Sequence, residues 1–285
     1  MPTIDPLLDD VVTRGATALH IAAGCAPCVR LGQELVPVDG AVFESHDVEE
    51  LLLELLDGEQ REELAEGGAV RFSHAHGSAA RFSATIVRAL GGLRATLRVL
   101  PRSARSLDEL GCPASATELA RRGAGIVIVT GGARAERAAV LVAMVRTAAE
   151  ARPVHVVTVE DPIEVVLPPE RGLVTQREIG LHAPSSEAGL RAALHDDAEV
   201  VLATDVDSAG AARAALALAA AGVIVFVGAR HAAAAEALFR AGGGEERLAT
   251  SILGVVSLRG GRGGDETIRV HAGPDAFSAA QARRA

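Results

Sequence analysis

Hydrophobic and polar positions divide the chain near residue 100. Before it, short runs alternate apolar with polar side chains, the period of strands in a sheet with one wet face. The runs are 18–21, 29–36, 70–74, 80–87 and 93–100. Gly77-Ser78 and Gly91-Gly92 supply turns between the last three, which predicts an antiparallel sheet. Three helices accompany it. Residues 6–15 form a short one, Ser45 caps a second through Leu56, and Asp57 with Gln60 makes a capping box for a third ending at Ala65. The first hundred residues therefore read as a small α+β unit, followed by a linker and helix over 101–122, the linker at 101–113 and the helix at 116–122.

After Gly125 the pattern changes. Continuous apolar stretches at 126–129, 154–159, 200–203 and 223–227, with a late one at 267–270, are separated by helical stretches at 136–151, 187–194, 211–221 and 233–241. Strands that are apolar on both faces and alternate with helices predict an α/β unit, 123–273, built on a parallel sheet covered on both sides. Ligands of such sheets bind at the carboxyl ends of the strands. Residues 274–285 read as a frayed tail.

Composition narrows the chemistry. A length of 285 residues suits two domains. Lys+Arg 28 against Asp+Glu 37 gives a net charge of −9, and an acidic surface repels phosphate backbones, so nucleic acid is excluded as the principal ligand. There is no lysine: all 28 basic side chains are arginine, so no motif that requires lysine is intact. The longest charge-free run, 214–229, is 16 residues, short of the ~20 that span a bilayer, and it changes from helical to strand character at Gly222. The first residues carry acid where an export signal carries base, and three cysteines suit a reducing compartment. The expectation is a soluble, cytoplasmic protein.

One segment is far more specific. Residues 154–164 read Val-His-Val-Val-Thr-Val-Glu-Asp-Pro-Ile-Glu, followed by Gln-Arg-Glu-Ile-Gly at 176–180 and Leu-Arg-Ala-Ala-Leu at 190–194. These runs resemble the acidic box and its following motifs in the secretion ATPase superfamily. The likeness is strongest to the twitching-motility (PilT-type) retraction ATPases of type IV pili, then to type II secretion ATPases. Residues 16–24, Arg81-Phe82, Arg98, Pro101 and Cys112-Pro113 fall at matching places, so the resemblance spans about residues 11–272. It implies a PAS-like first domain and a RecA-like, P-loop NTPase-type motor domain. It further implies ATP with magnesium, hexamers in which one subunit's first domain packs on the next subunit's motor domain, and a platform protein at the inner membrane. The protein would then be cytoplasmic or peripheral to that membrane. The family carries its retraction signature in a C-terminal helical segment with no counterpart here, so retraction itself is not implied.

The phosphate loop is where the chain departs from that family. A loop of the form G-x-x-x-x-G-K-[ST] needs glycines for close approach, a lysine on the β/γ-phosphates and a hydroxyl on magnesium. After the strand at 126–129 the chain reads Gly131, Gly132, Ala133, Arg134, Ala135, Glu136, Arg137, Ala138. Only the first required glycine remains; the second is Glu136, the lysine is Arg137 and the hydroxyl is Ala138. Glu136 places a negative charge where phosphate approaches, and like charges ~4 Å apart at an effective dielectric of ~20 cost ~4 kcal/mol. Arginine is no neutral exchange for lysine. The combined loss weakens a micromolar site to roughly millimolar or worse. Glu136 is also well placed by the helix dipole to fill the vacated anion site itself.

The remaining site residues come from the resemblance. It implies catalytic roles for Asp205, Glu160 and Glu164 if the chain is active, and a magnesium role for Asp161. Asp205 stands where the family has a glutamate that handles the attacking water, and Asp207 where it has an arginine. The family's histidine motif aligns on Gly228-Ala229-Arg230, with His231 one position late; His231 reads equally as an ordinary helix-start residue. Arg81, Arg98 and Arg177 could represent the arginines that reach a neighbour's nucleotide, or be surface ion-pair partners. Cys25 and Cys28 suggest a redox or metal pair, to which Cys112, His74 and His76 could contribute, against the simpler reading of loop cysteines. Two functions remain: an assembly subunit, alone or with an active paralogue, that binds nucleotide weakly and does not hydrolyse it, or an active pilus or secretion motor.

Overall fold

The computed structural model describes residues 3–38, 42–169, 172–259, 267–273 and 275–281. It comprises two compact units, Met1–Arg102 and Ser103–Ala285.

The first unit runs α1 (Asp5–Thr13), β1 (Ala18–Ala22), β2 (Cys28–Leu31), β3 (Glu34–Pro37), α2 (Ser45–Leu53), α3 (Gly58–Ala65), β4 (Ala69–His76), β5 (Ala80–Ala89) and β6 (Gly92–Val99). Its strands form one antiparallel sheet in the order β3-β2-β1-β6-β5-β4. Alternate residues Leu19, Ile21, Phe82, Ala84, Ile86, Leu93, Ala95 and Leu97 point into a core shared with Leu8, Val48, Leu51, Leu52 and Leu64 of the helices. The run 29–36 read as one strand is a hairpin, because Gly32, at φ +59, turns the chain between β2 and β3. Glu44, not Ser45, is the N-cap of α2, and that helix stops at Leu53 rather than Leu56. The Asp57–Gln60 capping box is present, each side chain accepting from the other's backbone N–H.

The second unit runs α4 (Ala114–Ala120), β7 (Gly125–Gly131), α5 (Arg134–Ala151), β8 (His155–Glu160), β9 (Leu173–Glu178), α6 (Ser186–Ala193), β10 (Val200–Ala203), α7 (Ala209–Ala220), β11 (Ile224–Ala229), α8 (Ala232–Ser251), β12 (Ile252–Arg259), β13 (Thr267–Ala272) and α9 (Ala276–Gln281). The sheet order is β13-β12-β7-β11-β10-β8-β9, parallel except for the antiparallel edge strand β13. Both faces are buried. Ile126, Ile128, Val201, Val225 and Val227 face a core with α6 to α9, while Val127, Val129, Leu202 and Phe226 face one with α4 and α5. This is an α/β fold on a mixed, mainly parallel sheet.

Two strands escape the pattern of the sequence. β9 is an edge strand held only by β8, so its polar run Thr175-Gln176-Arg177-Glu178 carries no apolar period. β12 begins where α8 ends, with no turn residue to announce it. The helix read as 233–241 continues to Ser251 across three glycines, kinking at Gly244. Residues 276–281, read as tail, form α9 with Ala276, Phe277 and Ala280 buried.

Candidate functional site

The carboxyl ends of β7, β8, β10 and β11 meet at a cleft of about 520 Å³, lined among others by Arg134, Asp161, Thr204, Asp205, Asp207 and His231. Close backbone approach builds it. A Cβ on Gly131 would lie 2.1 Å from the Leu258 carbonyl oxygen, and one on Gly228 would lie 1.9 Å from that of Thr204. Only glycine fits at either position.

The loop between β7 and α5 is held from within. Ala133, the N-cap of α5, has no side-chain oxygen; instead Glu136 reaches back, its Oε2 accepting the Ala133 N–H at 2.6 Å. That carboxylate lies against Gly132, whose Cβ would come within 2.5 Å of Oε2. Arg137 is buried, at 5% exposure, and its Nη1 donates to the carbonyls of both Gly131 and Gly132 at 3.1 Å. Its Nη2 donates to Asp205 Oδ1 at 3.4 Å. Arg134, half-exposed, places Nη2 3.0 Å from Asp161 Oδ2 and 3.7 Å from Asp205 Oδ2. The methyl of Ala138 is buried. Two guanidinium groups from the first turn of α5 thus neutralise the acids that follow β8 and β10.

The acids are organised by their strand ends. The Asp161 N–H donates to Thr204 Oγ1 at 3.2 Å, tying the end of β8 to that of β10. Buried Ser186, at the start of α6, donates its hydroxyl to the Asp205 carbonyl at 2.9 Å. Glu160 is fully buried; its Oε1 accepts from Thr158 Oγ1 at 2.6 Å and from Gln176 Nε2 at 3.0 Å, while Oε2 has no partner. Desolvation pushes its carboxyl up to about 7, against the pull of those two hydrogen bonds and with help from the charges of Glu164 and Glu178. Glu178 in turn accepts the Ile163 N–H at 3.0 Å. Glu164 is half-buried. Among the described residues no group of three or more His, Cys, Asp or Glu could hold a metal ion.

The other residues singled out from the sequence lie elsewhere. Arg81 and Arg98 belong to the first unit, where Arg81 donates to Ser73 Oγ at 2.9 Å and Arg98 is exposed on β6. Arg177 is in the second unit, 2.8 Å from Asp196 but without the alignment of a hydrogen bond. His231 is the exposed N-cap of α8 and lines the cleft, as does exposed Asp207. Cys25, on the β1–β2 connection, and Cys28, the first residue of β2, are free thiols donating to different carbonyls, those of Ala22 and Ala26. Cys112 is buried in the second unit and its thiol is pushed up to about 11 by desolvation. His76 is engaged by Asp5 and Asp9 of α1. Sequence reasoning gave no role to Thr204 and Ser186, whose small polar side chains carry no spacing signal. Thr158 and Gln176 were visible only as parts of matching stretches.

The model of the Type II/IV secretion system protein family matches residues 62–262. Uncharacterized protein YggR of Escherichia coli K12 is 35% identical over 203 residues, covering 71% of this chain and 62% of that protein. The type IV pilus retraction ATPase PilT of Pseudomonas aeruginosa is 28% identical over 223 residues, covering 78% of this chain and 65% of that one. The chain thus spans less than two thirds of the length of these curated relatives. The crystal structure of the pilus retraction motor PilT with bound ADP superposes with a TM-score of 0.81 at 27% identity, over 95% of this chain and 82% of that one.

Proposed function

This chain belongs to the Type II/IV secretion system protein family, and from that membership we propose that it is a homologue of pilus and secretion motors that has exchanged nucleotide turnover for an assembly role. The single observation that carries the reading is the loop between β7 and α5. In a nucleotide-binding loop of this kind the backbone N–H groups, a lysine and a hydroxyl converge on phosphate and magnesium. Here the Ala133 N–H is taken by the Glu136 carboxylate, the arginine in the lysine's place is turned onto the loop's own carbonyls, and Ala138 offers no oxygen. These residues do not fit a magnesium-bound triphosphate.

The assembly role is supported by what has been kept. Each unit has a packed hydrophobic core, on both sheet faces in the second, and the acidic segment 160–164 holds Glu160, Asp161 and Glu164. On this reading the RecA-like unit and the PAS-like first unit preserve the packing surfaces of a hexameric motor, either as a homo-oligomer or mixed with an active paralogue at an inner-membrane platform protein. Exposed Arg98 is then available to a neighbouring subunit, whereas Arg81 and Arg177 would have to leave Ser73 and Asp196 to reach one. Among the described residues no helix is long and apolar enough to cross a membrane, which accords with a peripheral location.

The second reading, an active ATP-hydrolysing pilus or secretion motor, is favoured by Asp205 and the retained acids at the strand ends. Calorimetric titration with Mg-ATP together with a phosphate-release assay separates the two. Millimolar or absent binding without turnover is the expected result. Micromolar binding with turnover would replace the assembly reading by the motor.

A further inference from the structure

A lost nucleotide site need not be empty, and the geometry of this one is specific about what fills it. Glu136 caps Ala133 as the fourth residue of a capping box does. The same carboxylate oxygen sits over Gly132, 2.5 Å from the position of a Cβ. Gly132 has φ +57, a left-handed conformation that turns the open face of the residue toward Glu136. The open face of Gly132, next to the one required glycine that remains, admits a side-chain anion.

The cations are matched in the same way. Asp161 and Asp205 follow the carboxyl ends of β8 and β10, and Arg134 spans both, at 3.0 and 3.7 Å. Arg137 approaches Asp205 from the buried side while holding the carbonyls of Gly131 and Gly132. The two guanidinium groups and two carboxylates form a connected set, and Glu136 holds the backbone N–H beside it, all within one compact unit.

We propose that this loop carries its counter-ions in cis: the Glu136 carboxylate occupies the anion position on the Ala133 N–H, and Arg134 and Arg137 occupy the cation positions facing Asp161 and Asp205. Added phosphate and added divalent metal then compete with the protein's own side chains. The inference rests on the assembly reading above but makes a separate claim, that removing the internal ion reopens a site the scaffold still encodes.

The test uses the full chain, inorganic pyrophosphate without metal, and Mn²⁺ without phosphate. For the native sequence neither probe shifts the thermal midpoint at millimolar concentration. Glu136→Ala is expected to bind pyrophosphate at least tenfold more tightly than the native chain, and Arg134→Ala to bind Mn²⁺ at least tenfold more tightly. Should Glu136→Ala not fold, Glu136→Gln, which keeps an oxygen for the Ala133 N–H and removes the charge, is held to a threefold gain. Equal pyrophosphate affinity in native and Glu136-substituted chains overturns the proposal, as does tight pyrophosphate binding by the native chain. The two readings fail separately. Mg-ATP turnover by the native chain sinks the assembly function, whereas a silent native chain with equally silent variants sinks only the internal counter-ions.

Discussion

The loop after β7 and the carboxyl end of β8 solve the same electrostatic problem to different degrees. On the loop side, between β7 and α5, the Glu136 carboxylate, the Arg134 guanidinium, both Arg137 Nη atoms and the Gly131 and Gly132 carbonyls find partners within the chain, while the buried Arg137 Nε has none. On the acidic side, at the end of β8, Glu160 is buried with one carboxylate oxygen unpartnered and its proton affinity raised. Self-satisfied charges stabilise a fixed shape, whereas an unsatisfied buried oxygen is a cost that folding must carry. The loop thus answers most of its charges from within, whereas the β8 end keeps a buried acid with raised proton affinity.

Breaking the loop side should have the largest effect. Arg137→Ala removes the buried guanidinium from two loop carbonyls and leaves partly exposed Asp205 to Arg134, and the lost charged hydrogen bonds and packing cost ~2–4 kcal/mol. Chemical denaturation should show that loss, and a change below ~1 kcal/mol would mean the guanidinium is not a structural pin.

The acidic side should be exposed by pH. The Glu160 carboxyl titrates at about 7 in the fold against 4.5 as the reference, so the folded chain holds this proton more tightly than the unfolded one. Its contribution is fully present below 4.5 and is lost as pH rises through about 7, by ~3 kcal/mol in all. Glu160→Gln should flatten that part of the stability–pH curve; an unchanged slope would assign it to another group.

The smallest effect sharpens the boundary between the two sides. Gly132→Ala adds a methyl 2.5 Å from Glu136 Oε2 at φ +57. The carboxylate is the flexible partner and is displaced, so the expected cost is only ~1–2 kcal/mol, mostly the left-handed backbone. Thermal melting should show that modest loss, and one as large as for Arg137→Ala would mean the loop cannot release its own anion.

Legibility in the sequence followed local periodicity. The central strands β7, β8, β10 and β11 are continuous apolar runs, readable because the sheet buries both faces. The acidic segment was readable through a run of matching letters, and the changed loop through its missing lysine and hydroxyl. β9 was not readable, since as an edge strand it spends its side chains on hydrogen bonds and an ion pair rather than on a core. The long α8 was not readable either. Gly242 and Gly243 argue against a helix by propensity, yet a Cβ at either would strike α7, 2.8 Å from the Ala209 carbonyl oxygen and 2.4 Å from Leu216 Cδ1.

The letters alone determined the order of core strands and helices, the absence of lysine and hydroxyl from the loop, and the acids at the strand ends, because each depends on residues close together in the chain. The tertiary structure decided which charges meet. Arg134 with Asp161, Arg137 with Asp205, and Gln176 with Glu160 pair across 16 to 68 residues, and no local period encodes a partner on another strand. Only the packed sheet, by bringing strand ends together in a cleft, fixes which charge is answered and which is left waiting.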